Sequence, residues 1–141
     1  MTDPQPTQKP LHPSEWTGVT DVLGIEFEEV SAERVVATMP VTPRHHQPFG
    51  YLHGGVSVVL AESAASVGAY LAAPPGYGAM GVEINANHVR SMRTGRLRAV
   101  AAPVHVGRRT QVWTIDLRDS EGRLICTSRC TLAVVEQPDA S

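Results

Sequence analysis

The chain of 141 residues is the size of one domain, and 42% of its residues are hydrophobic, which is enough for a buried core. A formal net charge of -2 provides no overall basic field for a nucleic acid backbone. No apolar run reaches the roughly 18 residues of a membrane span, and residues 1–10 lack the apolar core of a signal peptide. We therefore expect one cytoplasmic domain that binds neither nucleic acid nor a membrane.

Polar and proline-rich segments occupy both ends of the chain. Residues 1–13 contain four prolines among polar side chains, which predicts a disordered lead, and residues 137–141 predict a flexible tail. The folded domain is expected at residues 14–136. Its first element is a short helix over residues 14–23, which Gly24 ends.

Strand-like segments flank one long apolar helix. Residues 25–30 and 33–40 are rich in β-forming side chains and predict a hairpin. After a loop, Gly54 and Gly55 open a run of about eighteen Val, Leu, Ala and Ser residues, which prolines 74 and 75 end. A helix that is apolar on every side belongs in a core.

Four more strands are predicted in the second half of the chain. They cover residues 78–89, 95–106, 111–119 and 123–135, with short turns between them. Because these links are too short for crossovers, the strands should form an antiparallel meander. The predicted fold class is α+β, with one curved antiparallel sheet wrapped around the central helix.

Two cysteines lie in the last predicted strand. Cys126 and Cys130 share one face and are too far apart along an extended chain to bridge comfortably. We expect two reduced, half-buried thiols. Their neighbours offer no further soft ligand for zinc, so no metal site is predicted.

Glu62 is the only charged residue between positions 56 and 73. An ionised carboxylate is almost never buried without a partner, and no Lys or Arg lies within a helical turn. A glutamate on a solvated helix face is the alternative, but uncharged residues share that face: Val58, Ala65, Ser66 and Ala69. The pattern favours a functional carboxylate.

The start of the long helix offers hydrogen-bond donors. No Ser, Thr, Asp or Asn precedes Gly54 and Gly55, and His53 is expected to be a poor cap, so the first N–H groups should be available. Such groups can stabilise a developing oxyanion, with help from the helix dipole. Alternatively, the two glycines only allow tight packing of the loop on the helix, and glycines alone do not decide between these interpretations.

The distance between Gly54 and Glu62 limits how the two residues can act together. Gly54 and Glu62 are eight residues apart, which is about 12 Å of rise along a helix. One carbonyl group cannot contact both. If both act on it, they come from different subunits, and two antiparallel helices across a two-fold axis would create two equivalent sites. The sequence therefore predicts a homodimer.

Other polar residues lie near these positions. Ser66 follows Glu62 by one turn and could hold a water molecule, while Gln47 and His53 could steer a substrate carbonyl or a leaving group. A structural histidine and a solvated glutamine are the alternatives. His45 and His46 are more ambiguous, and no third ligand is spaced to complete a metal site.

Three blocks of the sequence resemble one known family. Residues 47–66, 81–91 and 105–113 closely resemble the hotdog-fold acyl-CoA thioesterases of the phenylacetate-type and 4-hydroxybenzoyl-CoA branch. The nearest resemblance is to the bacterial 1,4-dihydroxy-2-naphthoyl-CoA thioesterases of menaquinone synthesis, and it extends from about residue 18 to 135. It implies a single hotdog domain, hydrolysis of an acyl-CoA substrate with an aromatic acyl group, no separate cofactor, and a tetramer of two dimers.

The resemblance also implies roles for individual residues. Glu62 matches the catalytic carboxylate, which acts as a nucleophile through a mixed anhydride or as a general base on water. Gly54 matches the residue whose N–H polarises the thioester carbonyl; Gln47 and His53 assist, and Ser66 helps to place the water. The matched substrate- and CoA-binding positions are Gly81, His88, Arg90, Ser91, His105, Arg108, Arg109 and Thr110.

Arginines concentrate in the same part of the chain. The fork of donors on an arginine suits phosphate, and a solvated sheet edge is the alternative explanation for such residues. Among them, Arg90, Arg108 and Arg109 are favoured for the CoA phosphates. A hydroxyl or carboxylate on the acyl group could be met by His88 or Asn87.

Two other functions are compatible with parts of the pattern. Hotdog dehydratases also pair a loop histidine with a helix acid, but the nine-residue spacing of His53 and Glu62, with Gly-Gly between them, fits a thioesterase better. A non-catalytic acyl-CoA sensor would predict a fused DNA-binding segment or a missing glutamate. Neither feature is present in the sequence.

Overall fold

A computed structural model of the protein describes residues 18–137. The predicted disordered lead, the start of the first helix and residues 138–141 of the predicted tail lie outside the described residues. The described elements are α1 (Val19–Leu23), β1 (Glu26–Val30), β2 (Val35–Val41), a 3-10 turn (Pro43–His45), α2 (Gly54–Ala72), β3 (Tyr77–His88), β4 (Gly95–Val106), β5 (Thr110–Arg118) and β6 (Leu124–Glu136). Each predicted helix and strand is therefore confirmed, with ends that differ by a few residues.

The six strands form one antiparallel sheet in the order β1-β2-β4-β5-β6-β3, and α2 packs against β2 through β6. The core lies between helix and sheet, where Leu60 and Ala64 of α2 are buried with Leu97 and Trp113 of the strands. This is the α+β hotdog arrangement that the sequence predicts. The C-terminal end of α1 is also as predicted, because Gly24 adopts a left-handed conformation with φ of 72°.

Small residues and one buried hydrogen-bond network hold α2 against the sheet. The indole of Trp113 lies directly on Gly68, where an added Cβ would be 2.6 Å from Cζ3. The buried Gln111 side chain donates from Nε2 to the carbonyl of Ala69 at 2.9 Å and accepts from the indole N–H of Trp113 at 2.8 Å. These contacts restrict both the rotation and the axial position of α2, and with them the position of Glu62.

The length of α2 corrects one expectation. It has 19 residues, and an 18-residue window within it has a mean hydropathy of 1.4, which is long and apolar enough to span a membrane. The prediction that no apolar run reaches this length was therefore wrong. Because α2 packs against five strands of the sheet, it is the core helix of the hotdog domain.

The position of β3 corrects a second expectation. A meander would place β3 beside β4, but β3 pairs with β6 and forms one edge of the sheet. Residues 89–94 carry the chain back past β6 and β5, across three interstrand spacings of about 4.8 Å each. Six extended residues reach about 20 Å, so even this short link can cross two strands.

Candidate active site

The first turn of α2 has one free backbone donor. His53 is the N-cap, and its Nδ1 accepts the N–H of Gly55 at 2.9 Å, so the expectation of a poor cap was wrong. The N–H groups of Val56 and Ser57 bond to the carbonyl of His53. Within residues 18–137, the N–H of Gly54 has no acceptor. The cap therefore leaves this single donor to interact with a ligand.

A cavity of about 390 Å³ lies at this helix start, and its lining includes Gln47, Gly54, His88 and Arg90. We call it the donor cavity. The amide oxygen of Gln47 accepts the backbone N–H of Phe49, so its Nε2 group remains able to donate. The imidazole of His88 lies against Gly54, where an added Cβ would be 2.7 Å from Nε2.

A second cavity, of about 440 Å³, contains the carboxylate of Glu62. We call it the acid cavity. Its other lining residues come from α1, α2 and β3: Val19, Thr20, Val59, Ser63, Ser66, Val67, Tyr70 and Ala79. Glu62 is partly buried, and its carboxylate makes no hydrogen bond or ion pair with any described residue. Ser66 lines the same cavity one turn later, as its spacing predicts.

The two cavities are separate within one subunit. Among the described residues, no side chain lines both of them. Gly54 and Glu62 lie on one uninterrupted helix, so the rise of about 12 Å between them applies directly. The donor and the acid therefore cannot act on the same carbonyl group of a substrate held by this subunit alone.

The predicted CoA-binding residues fall into two groups. His88, Arg90 and Ser91 lie beside the donor cavity. His105, Arg108, Arg109 and Thr110 lie at the β4–β5 turn, at the other end of the sheet, where the imidazole of His105 covers Gly107. The side chains of Arg90, Arg108 and Arg109 are exposed and have no carboxylate partner among the described residues. Gly81 lies in neither group and is next to Glu62.

Two histidines of the loop before α2 have structural contacts. His45 is buried; its Nδ1 faces the backbone N–H and hydroxyl of Thr42, and its Nε2 donates to the carbonyl of Leu23 at 2.8 Å. His46 Nε2 donates to the carbonyl of Arg93 at 2.6 Å. These bonds fix the loop that carries Gln47. No cluster of metal-binding side chains occurs in residues 18–137.

The two cysteines face the core from β6 and are free, as predicted, but they are fully buried, not half-buried. Burial, together with the negative charges of Glu62 and Glu83, raises the pKa of Cys130 to about 11. Burial and the charge of Asp116 also raise the pKa of Cys126. Both thiols are therefore protonated at neutral pH and are poor nucleophiles.

Comparison with known proteins identifies the family. Residues 49–126 match the model of the thioesterase superfamily. The chain belongs to this superfamily. This thioesterase is 54% identical over 113 residues to the 1,4-dihydroxy-2-naphthoyl-CoA hydrolase of Escherichia coli, covering 80% of this chain and 83% of that protein. The resemblance noted in the sequence is therefore confirmed.

Two further relatives support this membership. The thioesterase is 46% identical over 113 residues to the proofreading thioesterase EntH of Cronobacter turicensis, covering 80% of this chain and 82% of that protein. The crystal structure of a mutant of thioesterase PA1618 from Pseudomonas aeruginosa aligns with a TM-score of 0.85 and 45% identity, over 95% of this chain and all of that chain (100%).

Sequence reasoning missed part of the acid cavity. Tyr70 follows Glu62 and Ser66 at helical spacing, so the sequence could have placed it on the same face. The contributions of Val19 and Thr20 depend on how α1 packs across α2, and no local pattern in the sequence indicates that contact.

Proposed function

We propose that this thioesterase hydrolyses an acyl-CoA thioester to a free acid and CoA, at a site made from the donor cavity of one subunit and the acid cavity of another. The observation that carries the proposal is the separation of Gly54 and Glu62 along α2, in a chain of the thioesterase superfamily. Each subunit would contribute one half to each of two equivalent sites.

Strand β3 supports this assembly. It is a sheet edge of 12 residues, and Met80 and Val82 on it are 63% and 62% exposed. A long apolar edge strand offers unpaired backbone groups to another strand. We infer a homodimer in which the β3 strands of two subunits pair antiparallel across the two-fold axis. The predicted tetramer would join two such dimers.

The contacts of β3 suggest the register of this pairing. His88 lies against Gly54, and Gly81 lies against Glu62. Because residue 82 is the extra residue of the irregularity between Gly81 and Glu83, an antiparallel pairing centred on Asn85 would place His88 opposite Gly81 of the partner subunit. The N–H of Gly54 would then face the partner subunit's Glu62 across the interface.

The same register would bring the two basic groups together. Arg90 would lie opposite Ala79 of the partner subunit, and within one subunit Ala79 pairs with Val134, whose N–H bonds to the carbonyl of Arg109. Arg90 of one subunit would thus approach the β4–β5 turn of the other. Unpaired arginines from both subunits could contact the phosphates of one CoA molecule.

The chemistry follows from this arrangement. The thioester carbonyl oxygen would accept from the N–H of Gly54 and from Nε2 of Gln47, which stabilise negative charge as it develops on that oxygen. Glu62 either attacks the carbonyl carbon, giving a mixed anhydride that water hydrolyses, or removes a proton from the attacking water. Both routes expel CoA as a thiolate, and the hydroxyl of Ser66 orients the water. His53 assists by capping Gly55.

The acid cavity supports an aromatic acyl group. From Glu62 it extends along α2 to Tyr70, which is about 12 Å at 1.5 Å per residue, and its lining combines aliphatic side chains with hydroxyl groups. Hydroxyl groups of Thr20, Ser63 and Ser66 could meet polar substituents on a ring. Together with the Escherichia coli relative named for 1,4-dihydroxy-2-naphthoyl-CoA, this lining favours that compound or a related aryl-CoA, and a place in menaquinone biosynthesis.

Two free thiols and a CoA substrate favour the cytoplasm, and hydrolysis needs no cofactor.

Specific observations weigh against the alternatives. A dehydratase would need His53 as an acid or base beside Glu62, but its Nδ1 is engaged by Gly55 and the curated relatives described above are named hydrolases or thioesterases. A sensor would not require the carboxylate that Glu62 presents to the acid cavity.

The proposal is tested by measuring thiol release from benzoyl-CoA, 1,4-dihydroxy-2-naphthoyl-CoA or a stable naphthoyl analogue, and straight-chain acyl-CoA thioesters. We expect hydrolysis, with a higher kcat/KM for the aryl substrates. If the folded protein hydrolysed none of these thioesters, the proposed reaction would be wrong. Hydrolysis confined to straight-chain substrates would overturn only the aromatic assignment.

A further inference from the structure

We infer that Gly81 is a positioning residue: its missing side chain creates the space in which the carboxylate of Glu62 is held against β3. This inference rests on the proposed role of Glu62. It adds to the substrate- or CoA-binding role that the sequence resemblance implies for Gly81.

The contact between the two residues is direct. A Cβ built on Gly81 would overlap Oε1 of Glu62 and would be 3.4 Å from its Cδ. The three heavy atoms nearest to that position all belong to Glu62. Because Cβ atoms in proteins do not approach a carboxylate oxygen so closely, any larger residue at position 81 must displace the carboxylate or the strand.

Backbone conformation does not explain this glycine. Six glycines of the described chain have positive φ, a conformation that other residues rarely adopt, and Gly81 is not one of them. Gly81 is exposed; it pairs with the buried Leu132 of β6, and a Cβ built on it would point at Glu62 of α2. The partly buried residues of β3 carry side chains: Ala79, Ile84 and Ala86. The requirement at position 81 is therefore for space, and Glu62 occupies that space.

Packing against neighbouring residues, and not hydrogen bonding, restrains the carboxylate of Glu62. Glu62 has no hydrogen-bond or ion-pair partner within residues 18–137, while α2 is held by the contact of Gly68 with Trp113. The pairing of β3 with β6 changes register between Gly81 and Glu83, as in a β-bulge. Bulges bend a strand locally and can redirect the groups beside them. The bare backbone at Gly81 is thus the surface that limits where the Glu62 carboxylate can lie.

Gly81→Ala should move the carboxylate without changing its chemistry. A displacement of about 1 Å in a catalytic group can reduce turnover by about 100-fold. We expect kcat to fall by about this factor while KM changes little, because substrate contacts elsewhere are retained. Gly78→Ala is the matched control on the same strand, since the atoms nearest to its Cβ belong to Gln137, at 3.2 Å or more, and not to Glu62.

The decisive measurement combines Gly81→Ala with Glu62→Asp. Aspartate is one methylene shorter, so the added methyl group at position 81 should no longer push on the carboxylate. We expect Gly81→Ala to reduce kcat much less in the Glu62→Asp protein than in the wild-type protein. An equal loss in both, or a Gly81→Ala protein as active as Gly78→Ala, would overturn the inference.

Thermal unfolding covers the case in which Gly81→Ala folds poorly. Overlap with Glu62 predicts that the unfolding midpoint falls when Glu62 is present and recovers in a Gly81→Ala, Glu62→Ala protein. An equal fall without Glu62 would show that position 81 acts on the strand alone. Failure of the proposed function would look different: wild-type protein would not release thiol, or Glu62→Gln would retain full turnover.

Discussion

The first turn of α2 and the turn that carries Glu62 are held in place by different means. Hydrogen bonds fix the first turn: His53 caps Gly55, and the N–H groups of Leu52 and His53 bond to the carbonyls of Met92 and His45. Glu62 has no such bond to a described residue and is limited by packing against Gly81. The donor is thus fixed before substrate arrives, as an oxyanion site requires, whereas the acid depends on the shape around it.

Under the proposed function, this comparison explains why one subunit would be insufficient. The donor cavity has no carboxylate in its lining, and the acid cavity is lined by neither of the predicted donors, Gly54 and Gln47. Each half is well formed but lacks what the other provides. Substitutions that remove one half, or that separate the halves, should therefore have distinguishable effects.

Removal of the acid should have the largest effect. We expect Glu62→Gln to fold normally and to reduce kcat about 10³-fold, since a positioned acid or base contributes on the order of 10² to 10⁴. Steady-state kinetics with an aryl-CoA substrate measure the change. Glu33→Gln, at an exposed position, is the matched control and should resemble wild type. Full turnover by Glu62→Gln would remove Glu62 from the mechanism.

Removal of the donor should have the next largest effect. Gly54 is the first residue of α2, where proline is tolerated, so Gly54→Pro deletes the N–H without breaking the helix. We expect kcat/KM to fall about 100-fold or more. Gly54→Ala is the control, because it crowds His88 similarly but retains the N–H. If both variants lost the same activity, the N–H would have no role.

Separation of the two halves should come third and should depend on protein concentration. Val82→Lys places a charge on the exposed β3 edge, which should weaken the β3 pairing and lower activity as the dimer dissociates. Analytical ultracentrifugation and activity, measured over the same dilution series, should change together. Val22→Lys is the control, since Val22 on α1 is also 62% exposed. A dissociated but fully active Val82→Lys protein would contradict the shared site.

The smallest predicted effect concerns Cys130, because the charge of Glu62 contributes to raising the pKa of its thiol. Its folded pKa of about 11 lies above the ordinary value of 9.0, so the unfolded chain loses this proton first and stability falls as the pH rises from 9.0 to about 11. Glu62→Gln removes one of the charges that raise this pKa. We expect thermal unfolding midpoints to fall less over this pH range in Glu62→Gln, and less again in Cys130→Ala. Identical pH profiles would place the carboxylate away from the thiol.

Much of the fold could be predicted from the sequence because its signals are local. The apolar run between Gly54 and the prolines at 74 and 75 indicates a core helix, and β-rich segments separated by turns indicate the strands. The position of β3 at the sheet edge could not be predicted, because pairing with β6 depends on contacts far apart in sequence. The short link between β3 and β4 wrongly suggested that these two strands lie side by side.

The residues of the candidate site also differ in whether the local sequence could reveal them. Glu62 and Gly54 could be found because an isolated charge and a glycine pair contrast with their surroundings. The cap on Gly55 was missed because histidine is uncommon in that role, although its Nδ1 can accept a hydrogen bond. The contact of Gly81 with Glu62 links β3 to α2 and has no local signal.

The central claim is that one site uses the donor of one subunit and the acid of another, and mixed dimers test it most directly. Gly54→Pro and Glu62→Gln chains carrying different affinity tags would be co-expressed, and the heterodimers purified through both tags. Each heterodimer would contain one site with an intact donor and an intact acid, so we predict about half of the wild-type activity per dimer. Verified heterodimers no more active than either parent would contradict the shared site.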